Sequence, residues 1–169
     1  KWKIFYMKTI QRHKYKKDQI IETRTLKFEP FPYSEINQVI ESIQDYLTPD
    51  LLKGRKSLMY PNDCLINKYY GHCYHASQAL YYLMDTNKLI PMSGEDYRGE
   101  KHWWLQDEEN IYDATSKQYY FVNETPPYDI GKKSKWYGWK QRPHQKSLEL
   151  TKRVLGDRLD TDRIQKVAL

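Results

Sequence analysis

The stretch Gly-His-Cys-Tyr-His-Ala-Ser, residues 71–77, decides the fold class that the sequence predicts. It opens a segment with an apolar stripe at helical spacing, formed by Ala76, Leu80, Leu83 and Met84. Cys73 therefore stands in the first turn of a predicted helix that is expected to end near Asn87. At this position, unpaired backbone N–H groups and the positive end of the helix dipole favour the thiolate form of a cysteine. Cys73 is thus a candidate nucleophile, and its partners should lie elsewhere in the chain.

Length and composition indicate one soluble domain. The 169 residues suffice for a single domain with its own core and are too few for two. The sequence has no apolar run of membrane-spanning length and no signal-peptide pattern, so a soluble, cytoplasmic protein with no membrane contact is expected. Cys64 and Cys73 are the only cysteines and are expected to be free thiols in a reducing compartment. No cofactor is predicted.

The domain is expected to be α+β and to contain three segments. Residues 1–55 are interpreted as an N-terminal appendage with helices, and residues 56–155 as the core that carries the candidate nucleophile. Residues 156–169 are interpreted as a helical tail, separated from the preceding helix by Gly156.

A mainly antiparallel sheet is expected to lie against the cysteine helix. Strand-like composition occurs in residues 4–6, 19–26, 102–106, 111–115 and 119–122. Besides the cysteine helix, helices are predicted over residues 34–47, with Ser34 as cap, over 49–54 and over 145–155. A polar turn is expected over residues 93–99, and residues 107–110 are expected to join two strands as a hairpin.

A thiol nucleophile needs a base that takes its proton and a third group that orients the base. His102 begins a predicted strand, and Asp113 lies on the antiparallel neighbour across a short turn. Cross-strand neighbours on one face lie within side-chain reach, so Asp113 is expected to hold the imidazole of His102. The candidate catalytic residues are therefore Cys73, His102 and Asp113. The adjacent Trp103 and Trp104 are expected to form core and the wall of a substrate pocket.

The sequence contains GHCYHAS at residues 71–77, HWWL at 102–105 and DAT at 113–115, followed by Gln118. In these motifs it resembles a group of small bacteriophage-encoded proteins. Those proteins are similar in layout to the papain-like and transglutaminase-like Cys-His-Asp superfamily. The resemblance covers roughly residues 70–155. It implies a papain-like or transglutaminase-like core, with thiol chemistry on a peptide, amide or ester substrate. It also implies a location in the cytoplasm of the infected host cell.

The same resemblance implies one role for each candidate catalytic residue. Cys73 would be the nucleophile, His102 the general base and acid, and Asp113 the orienting carboxylate. An oxyanion hole would combine the backbone N–H of Cys73 with a side-chain donor. Asn67 is the first candidate for this donor, because it lies where papain-like enzymes often carry a glutamine. Asn62 and Gln118 are the alternative candidates.

A metal site is the first alternative to a catalytic thiol. Cys64, His72, Cys73 and His75 are close in sequence and have the side chains that zinc prefers. The segment has no paired CxxC motif, and the adjacent His72 and Cys73 cannot easily reach one ion. No metal site is therefore predicted.

A nucleic-acid or protein-binding module without catalysis is the second alternative. The net charge is +6, and residues 132–142 interleave cations with aromatic rings, as surfaces that bind phosphates and stack bases do. The residues of this basic aromatic segment are Lys132, Lys133, Lys135, Trp136, Trp139, Lys140 and Arg142. Nucleic acid or another polyanion is therefore a second expected partner. A degenerate enzyme kept as a phage interaction or anti-defence protein is the third alternative.

Overall fold

A computed structural model describes residues 3–11, 19–52, 66–137, 144–157 and 165–168. The protein is α+β, with antiparallel sheets and α-helices, so the predicted class is confirmed. The chain divides into two compact units, one formed by residues 1–30 with 155–169 and the other by residues 31–154. A single domain was predicted, and its first boundary was placed at residue 55 instead of residue 30. All three candidate catalytic residues fall in the larger unit.

The smaller unit contains a sheet of three antiparallel strands. They are β1 (Lys3–Gln11), β2 (Gln19–Phe28) and β7 (Gln165–Ala168), in the order β1-β2-β7. The helical tail predicted for residues 156–169 is therefore wrong over its last part, where the chain is a strand. Residues 165–168 pair with residues 24–27 of β2, and this pairing with a distant strand outweighs the local pattern on which the helix was predicted.

The larger unit contains a sheet of four antiparallel strands in the order β5-β4-β3-β6. These strands are β3 (Ile90–Glu95), β4 (Lys101–Gln106), β5 (Ile111–Tyr112) and β6 (Lys132–Lys133). The α-helices are α1 (Ile36–Asp45), α2 (Cys73–Leu83), α3 (Lys117–Tyr120) and α4 (Gln145–Asp157). None of the helices in the described ranges has the length and apolar content needed to cross a membrane.

Helix α2 packs against β4, as predicted for the cysteine helix. The Ser77 hydroxyl donates a hydrogen bond to the carbonyl oxygen of Trp103, with an oxygen–oxygen distance of 3.1 Å. The helix ends at Leu83, earlier than predicted. It ends there because Met84 takes an extended conformation and forms an isolated bridge with Phe31.

Residues 31–52 belong to the compact unit of the cysteine helix and are not part of an appendage. Helix α1 packs on α2 through a buried face that includes Ile36, Val39 and Ile43. The Gln44 side-chain amide donates to the carbonyl oxygen of Ala114 over 3.0 Å, which ties α1 to the segment after β5. The N-cap residue of α1 is Glu35, so the prediction that Ser34 caps this helix is wrong.

Strand β3 occupies part of the polar turn that was predicted for residues 93–99. Serine and glycine are common in turns, but Ser93 and Gly94 lie in the strand because of their contacts with neighbouring residues. The Ser93 hydroxyl is hydrogen-bonded to that of Ser134 over 2.6 Å. A Cβ added to Gly94 would lie 3.0 Å from the backbone oxygen of Pro127, so a larger residue would press on that neighbouring loop. The turn itself is shorter and contains Gly99, whose φ is 77°.

The strand predicted for residues 119–122 is wrong, because these residues form the end of α3 and the turn after it. The Gln118 and Tyr119 N–H groups donate to carbonyl oxygens three residues earlier, over 3.1 and 3.0 Å. A helical turn places Tyr119 in the core at 2% exposure, whereas Phe121 is 64% exposed. Four consecutive apolar residues do not reveal such a turn from their composition.

The register of the sheet decides which side chains share a face. Ser93 in β3 pairs with Trp103 on one side and with Lys132 on the other, so these three side chains lie on one face. Successive strand residues point to opposite faces, so His102 and Lys133 lie on the other face.

Candidate active site

The structure brings together Cys73, His102 and Asp113, the three residues predicted to be catalytic. Cys73 is the first residue of α2, and it lies close enough to His102 to help raise the pKa of that imidazole. The Cys73 Sγ atom also lies 3.8 Å from the carbonyl oxygen of Lys101, the residue before His102. Cys73 keeps 9% of its surface exposed, so the sulfur can be approached only along a restricted path.

The imidazole of His102 is held by the carboxylate of Asp113. The distance between His102 Nε2 and Asp113 Oδ2 is 2.6 Å, and both side chains are almost fully buried. Asp113 directly follows β5, whose last residue pairs with Leu105 of β4. Continuing this pairing sets Asp113 opposite Trp104, so the carboxylate reaches His102 as a diagonal neighbour on the same face.

The carboxylate of Asp113 accepts hydrogen bonds at both oxygens. Oδ2 accepts from the Tyr128 hydroxyl over 2.8 Å, in addition to His102. Oδ1 accepts from the backbone N–H and the hydroxyl of Thr115, over 2.9 and 3.2 Å. The contact with the Thr115 N–H is the turn that an Asp-Ala-Thr sequence favours, whereas nothing in the sequence connects Tyr128 with Asp113.

The charge state of His102 follows from these contacts. Burial opposes protonation of the ring, but the Asp113 charge, its hydrogen bond and the contact with Cys73 outweigh it and raise the pKa of His102 to about 10. The ring is therefore an imidazolium at neutral pH. Since Nε2 donates to Asp113, Nδ1 is the ring nitrogen that is left to exchange a proton with Cys73.

Two aromatic side chains enclose the ring of His102. Trp104 stacks on it with a centroid distance of 5.8 Å and an interplanar angle of 25°. Tyr119 meets the ring edge-on at 4.8 Å, and its hydroxyl donates to Asp96 over 2.9 Å. Burial is the main cause that holds the pKa of Tyr119 far above its usual range, so this phenol stays neutral. The side chain of Trp104 is fully buried and covers one face of the His102 imidazole.

Gln118 is the side-chain amide next to His102. Gln118 is 8% exposed, and the distance between its Nε2 and His102 Nδ1 is 3.5 Å, which is long for a hydrogen bond. A protonated His102 has a hydrogen on each ring nitrogen and cannot accept one from the amide. The amide N–H groups of Gln118 therefore lie beside Nδ1 of His102 without donating a hydrogen bond to it.

Asn67, the first choice for an oxyanion donor, supports Gln118 instead. Its Nδ2 donates to the backbone carbonyl of Gln118 over 2.9 Å, and its Oδ1 accepts from the backbone N–H of Tyr69 over 3.1 Å. Asn67 thus fixes α3 relative to the segment before α2. Asn62, the other substitute, lies outside the described residues.

A shallow cleft lies next to the candidate catalytic residues. Its lining consists of Tyr70, Asp96, Tyr97, Arg98, Gln118 and Tyr119. The Arg98 guanidinium lies over the rings of Tyr70 and Tyr97, with centroid distances of 4.9 and 5.2 Å. Gln118 and Tyr119, which also lie beside His102, form the end of the cleft nearest to the imidazole.

His72 and His75 form a buried pair behind the first turn of α2. The distance between His72 Nδ1 and His75 Nε2 is 2.6 Å, which leaves no room for a metal ion between the two nitrogens. Burial is the main cause that lowers the pKa of His72 to about 4 and that of His75 well below its usual value. The described residues contain no group of three or more metal-binding side chains, and Cys64 lies outside them.

The basic aromatic segment is only partly described. Lys132, Lys133 and Lys135 are exposed. Trp136 stacks on Trp103 with a centroid distance of 5.4 Å, and Trp103 is 2% exposed, so both rings are part of one aromatic cluster. The remaining predicted members lie outside the described residues; they are Trp139, Lys140 and Arg142.

Comparison of the chain with protein-family models, curated proteins and solved structures gave no match. The function is therefore inferred from the geometry around Cys73.

Proposed function

We propose that the protein is a thiol-dependent hydrolase or acyl or amide transferase that forms a covalent acyl-enzyme on Cys73. The observation that carries this proposal is the position of His102, which pairs through Nε2 with the Asp113 carboxylate and lies beside Cys73 at the start of α2. A nucleophile, a base and an orienting carboxylate in this order are the parts that nucleophilic acyl chemistry needs. The substrate class is a peptide, amide or ester.

The proposed reaction starts from the thiolate of Cys73 and the imidazolium of His102. The sulfur attacks the substrate carbonyl carbon and forms a C–S bond, while the carbonyl electron pair moves to the oxygen. When the tetrahedral intermediate collapses, the bond to the leaving group breaks and His102 Nδ1 gives its proton to the departing amine or alcohol. Water or an acceptor amine, deprotonated by the now neutral His102, then attacks the thioester and releases Cys73.

The negative oxygen of the intermediate needs hydrogen-bond donors. Cys73 begins α2, and the first N–H groups of a helix have no partner within the helix. We assign the second donor to Gln118, because its amide lies beside His102 and borders the cleft. Asn67 is then a positioning residue that acts through Gln118.

The order of the elements supports the proposal that the fold is papain-like or transglutaminase-like. The cysteine begins a helix, the histidine lies in the strand against which that helix packs, and the aspartate follows the neighbouring strand. The proposed relationship to small bacteriophage proteins rests on these residues.

The proposal is tested by alkylation of the cysteine with iodoacetamide between pH 5 and pH 10. A Cys64→Ser background leaves Cys73 as the single thiol, and Cys73→Ser is the blank. In this background, we expect alkylation well below the pH at which ordinary thiols react, since an imidazolium beside the sulfur stabilises the thiolate. The His102→Gln variant should react only at the pH of an ordinary thiol.

Identical profiles with and without His102 would overturn the catalytic assignment. A second measurement follows the acyl-enzyme directly. After mixing with p-nitrophenyl acetate, the protein mass should increase by one acetyl group on Cys73, and Gln118→Ala should slow this step by about 10²-fold or more, as loss of an oxyanion donor does.

A further inference from the structure

Tyr137 presents an open aromatic surface close to the helix that begins at Cys73. One face of its ring stacks on Tyr74, with a centroid distance of 5.1 Å and an interplanar angle of 14°. The backbone N–H of Tyr137 also donates to the Tyr74 hydroxyl over 2.8 Å, so the ring is fixed in place. Tyr137 is nevertheless 57% exposed. Trp103 meets the ring at a steep angle at 5.2 Å, and the Lys101 ammonium lies 5.4 Å from the ring centre. The open face is the part of the ring that Tyr74, Trp103 and Lys101 leave exposed.

Three exposed lysines lie beside this ring, on the same face of the sheet or on the chain that leads to it. Lys101 is exposed, and its Nζ donates to the Tyr137 hydroxyl over 3.2 Å. The same ammonium lies 5.4 Å from the ring centre of Trp103. Lys132 lies on the Trp103 face of the sheet because of its register, and Lys135 is exposed on the chain that leads from β6 to Tyr137.

One carboxylate shares this face of the sheet. Glu95 pairs with Lys101 across β3 and β4 and is exposed. Three lysines against one glutamate leave the surface positive, in agreement with the net charge of +6. We refer to Lys101, Lys132, Lys135 and Tyr137 as the Tyr137 platform.

We propose that the Tyr137 platform binds single-stranded nucleic acid. A base stacks on the open face of Tyr137, and the three lysines contact the phosphates on either side of it. Cations alone would suit any polyanion, but a fixed ring with one open face is the feature that recognises a planar base. An acidic polypeptide offers charge without such a base. This function does not depend on the proposed acyl chemistry.

Binding is measured by fluorescence anisotropy with a labelled single-stranded DNA of mixed sequence and with the corresponding RNA. The protein is the full chain with Cys73→Ser, so the result does not depend on thiol chemistry. We expect Tyr137→Ala to weaken binding about tenfold or more, because stacking on one aromatic ring contributes that much. Tyr137→Phe keeps the ring and should bind like the parent. The Phe variant thereby separates loss of stacking from loss of local structure.

The sheet register supplies a matched pair of charge variants. Lys132→Gln should lower the slope of log affinity against log salt by about 0.7, the value for one phosphate contact on a single strand. Lys133→Gln makes the same charge change on the opposite face and should leave the slope unchanged. Glu95→Gln removes the opposing charge and should strengthen binding.

Three results would overturn the proposal. They are no binding at 50 mM salt, equal loss from Lys132→Gln and Lys133→Gln, and binding that Tyr137→Ala leaves unchanged. Competition by polyglutamate as effective as that of unlabelled DNA would also overturn it and would identify a general polyanion surface. Each of these results leaves the alkylation test of Cys73 untouched, so the two proposals fail separately.

Discussion

Tyr128 contacts one of the candidate catalytic residues through its hydroxyl. Its hydroxyl donates to the same oxygen of Asp113 that accepts from His102. Tyr128→Phe removes one donor from a buried carboxylate, and a hydrogen bond to a charged group contributes about 1.5–3 kcal/mol to stability. We expect a less firmly held carboxylate to orient His102 less well, so the alkylation of Cys73 with iodoacetamide at low pH should be slower than in the parent.

The matched control for this prediction is Tyr120→Phe, because Tyr120 is 54% exposed. Its alkylation profile and its free energy of unfolding should equal those of the parent. If Tyr128→Phe lowers the unfolding free energy but leaves the pH profile of alkylation unchanged, Tyr128 is a structural residue with no influence on the site.

At the residue scale, the sequence predicts which candidate side chains come together better than it predicts the residues that hold them in place. Cys73, His102 and Asp113 are recognisable because a helix start and a short hairpin are local patterns, and both bring side chains to definite places. The contact between Tyr128 and Asp113 depends on a 3₁₀ turn placed by the packing of Trp104, and no local pattern encodes that. For Asn67, no local pattern shows that its amide nitrogen donates to the backbone carbonyl of Gln118.

At the scale of elements, the sheet that carries His102 is closely packed around the ring of Trp104. A Cβ added to Gly131 would lie 2.3 Å from the Trp104 ring, closer than real contacts allow. We expect Gly131→Ala to lower the free energy of unfolding by about 1–3 kcal/mol, as overpacking of a core does. Urea denaturation followed by tryptophan fluorescence measures this change.

Gly156 supplies the control for that substitution. It lies in α4, and a Cβ there would meet nothing within 4 Å. Gly156→Ala should therefore stabilise the protein by up to about 1 kcal/mol through helix propensity. If both alanine variants change the free energy of unfolding by the same amount, a methyl group at residue 131 does not clash with Trp104.

The elements that the sequence predicted wrongly share a physical cause. Ser93 and Gly94 have turn composition but lie in β3, where their hydrogen bonds and close contacts come from distant residues. Residues 165–168 have the polar pattern of an exposed helix, yet their backbone pairs with β2. In each case, tertiary pairing outweighs a local preference that amounts to a few tenths of a kcal/mol per residue. Helices α1 and α2 were predicted because their apolar periodicity extends over several turns.

At the scale of the whole molecule, the free energy of unfolding should depend on pH, because the pKa values of the buried histidines are shifted in opposite directions. Burial lowers the pKa of His72 to about 4, so between pH 4 and 6.5 the unfolded chain binds more protons than the folded one. Unfolding free energy should therefore rise with pH in that range. The pKa of His102 is raised to about 10, mainly by Asp113 against the effect of burial, so between pH 6.5 and 10 the folded chain holds the extra proton. Unfolding free energy should then fall with rising pH.

The expected curve thus has its maximum near pH 6.5, where the two effects meet. Urea denaturation at intervals of half a pH unit measures it. His102→Gln should remove the decrease on the alkaline side and leave the increase on the acid side, because His72 and His75 lie apart from Asp113 and keep their own partner. A parent protein whose stability continues to increase from pH 7 to pH 9 would contradict a protonated His102, and with it the imidazolium from which the proposed reaction starts.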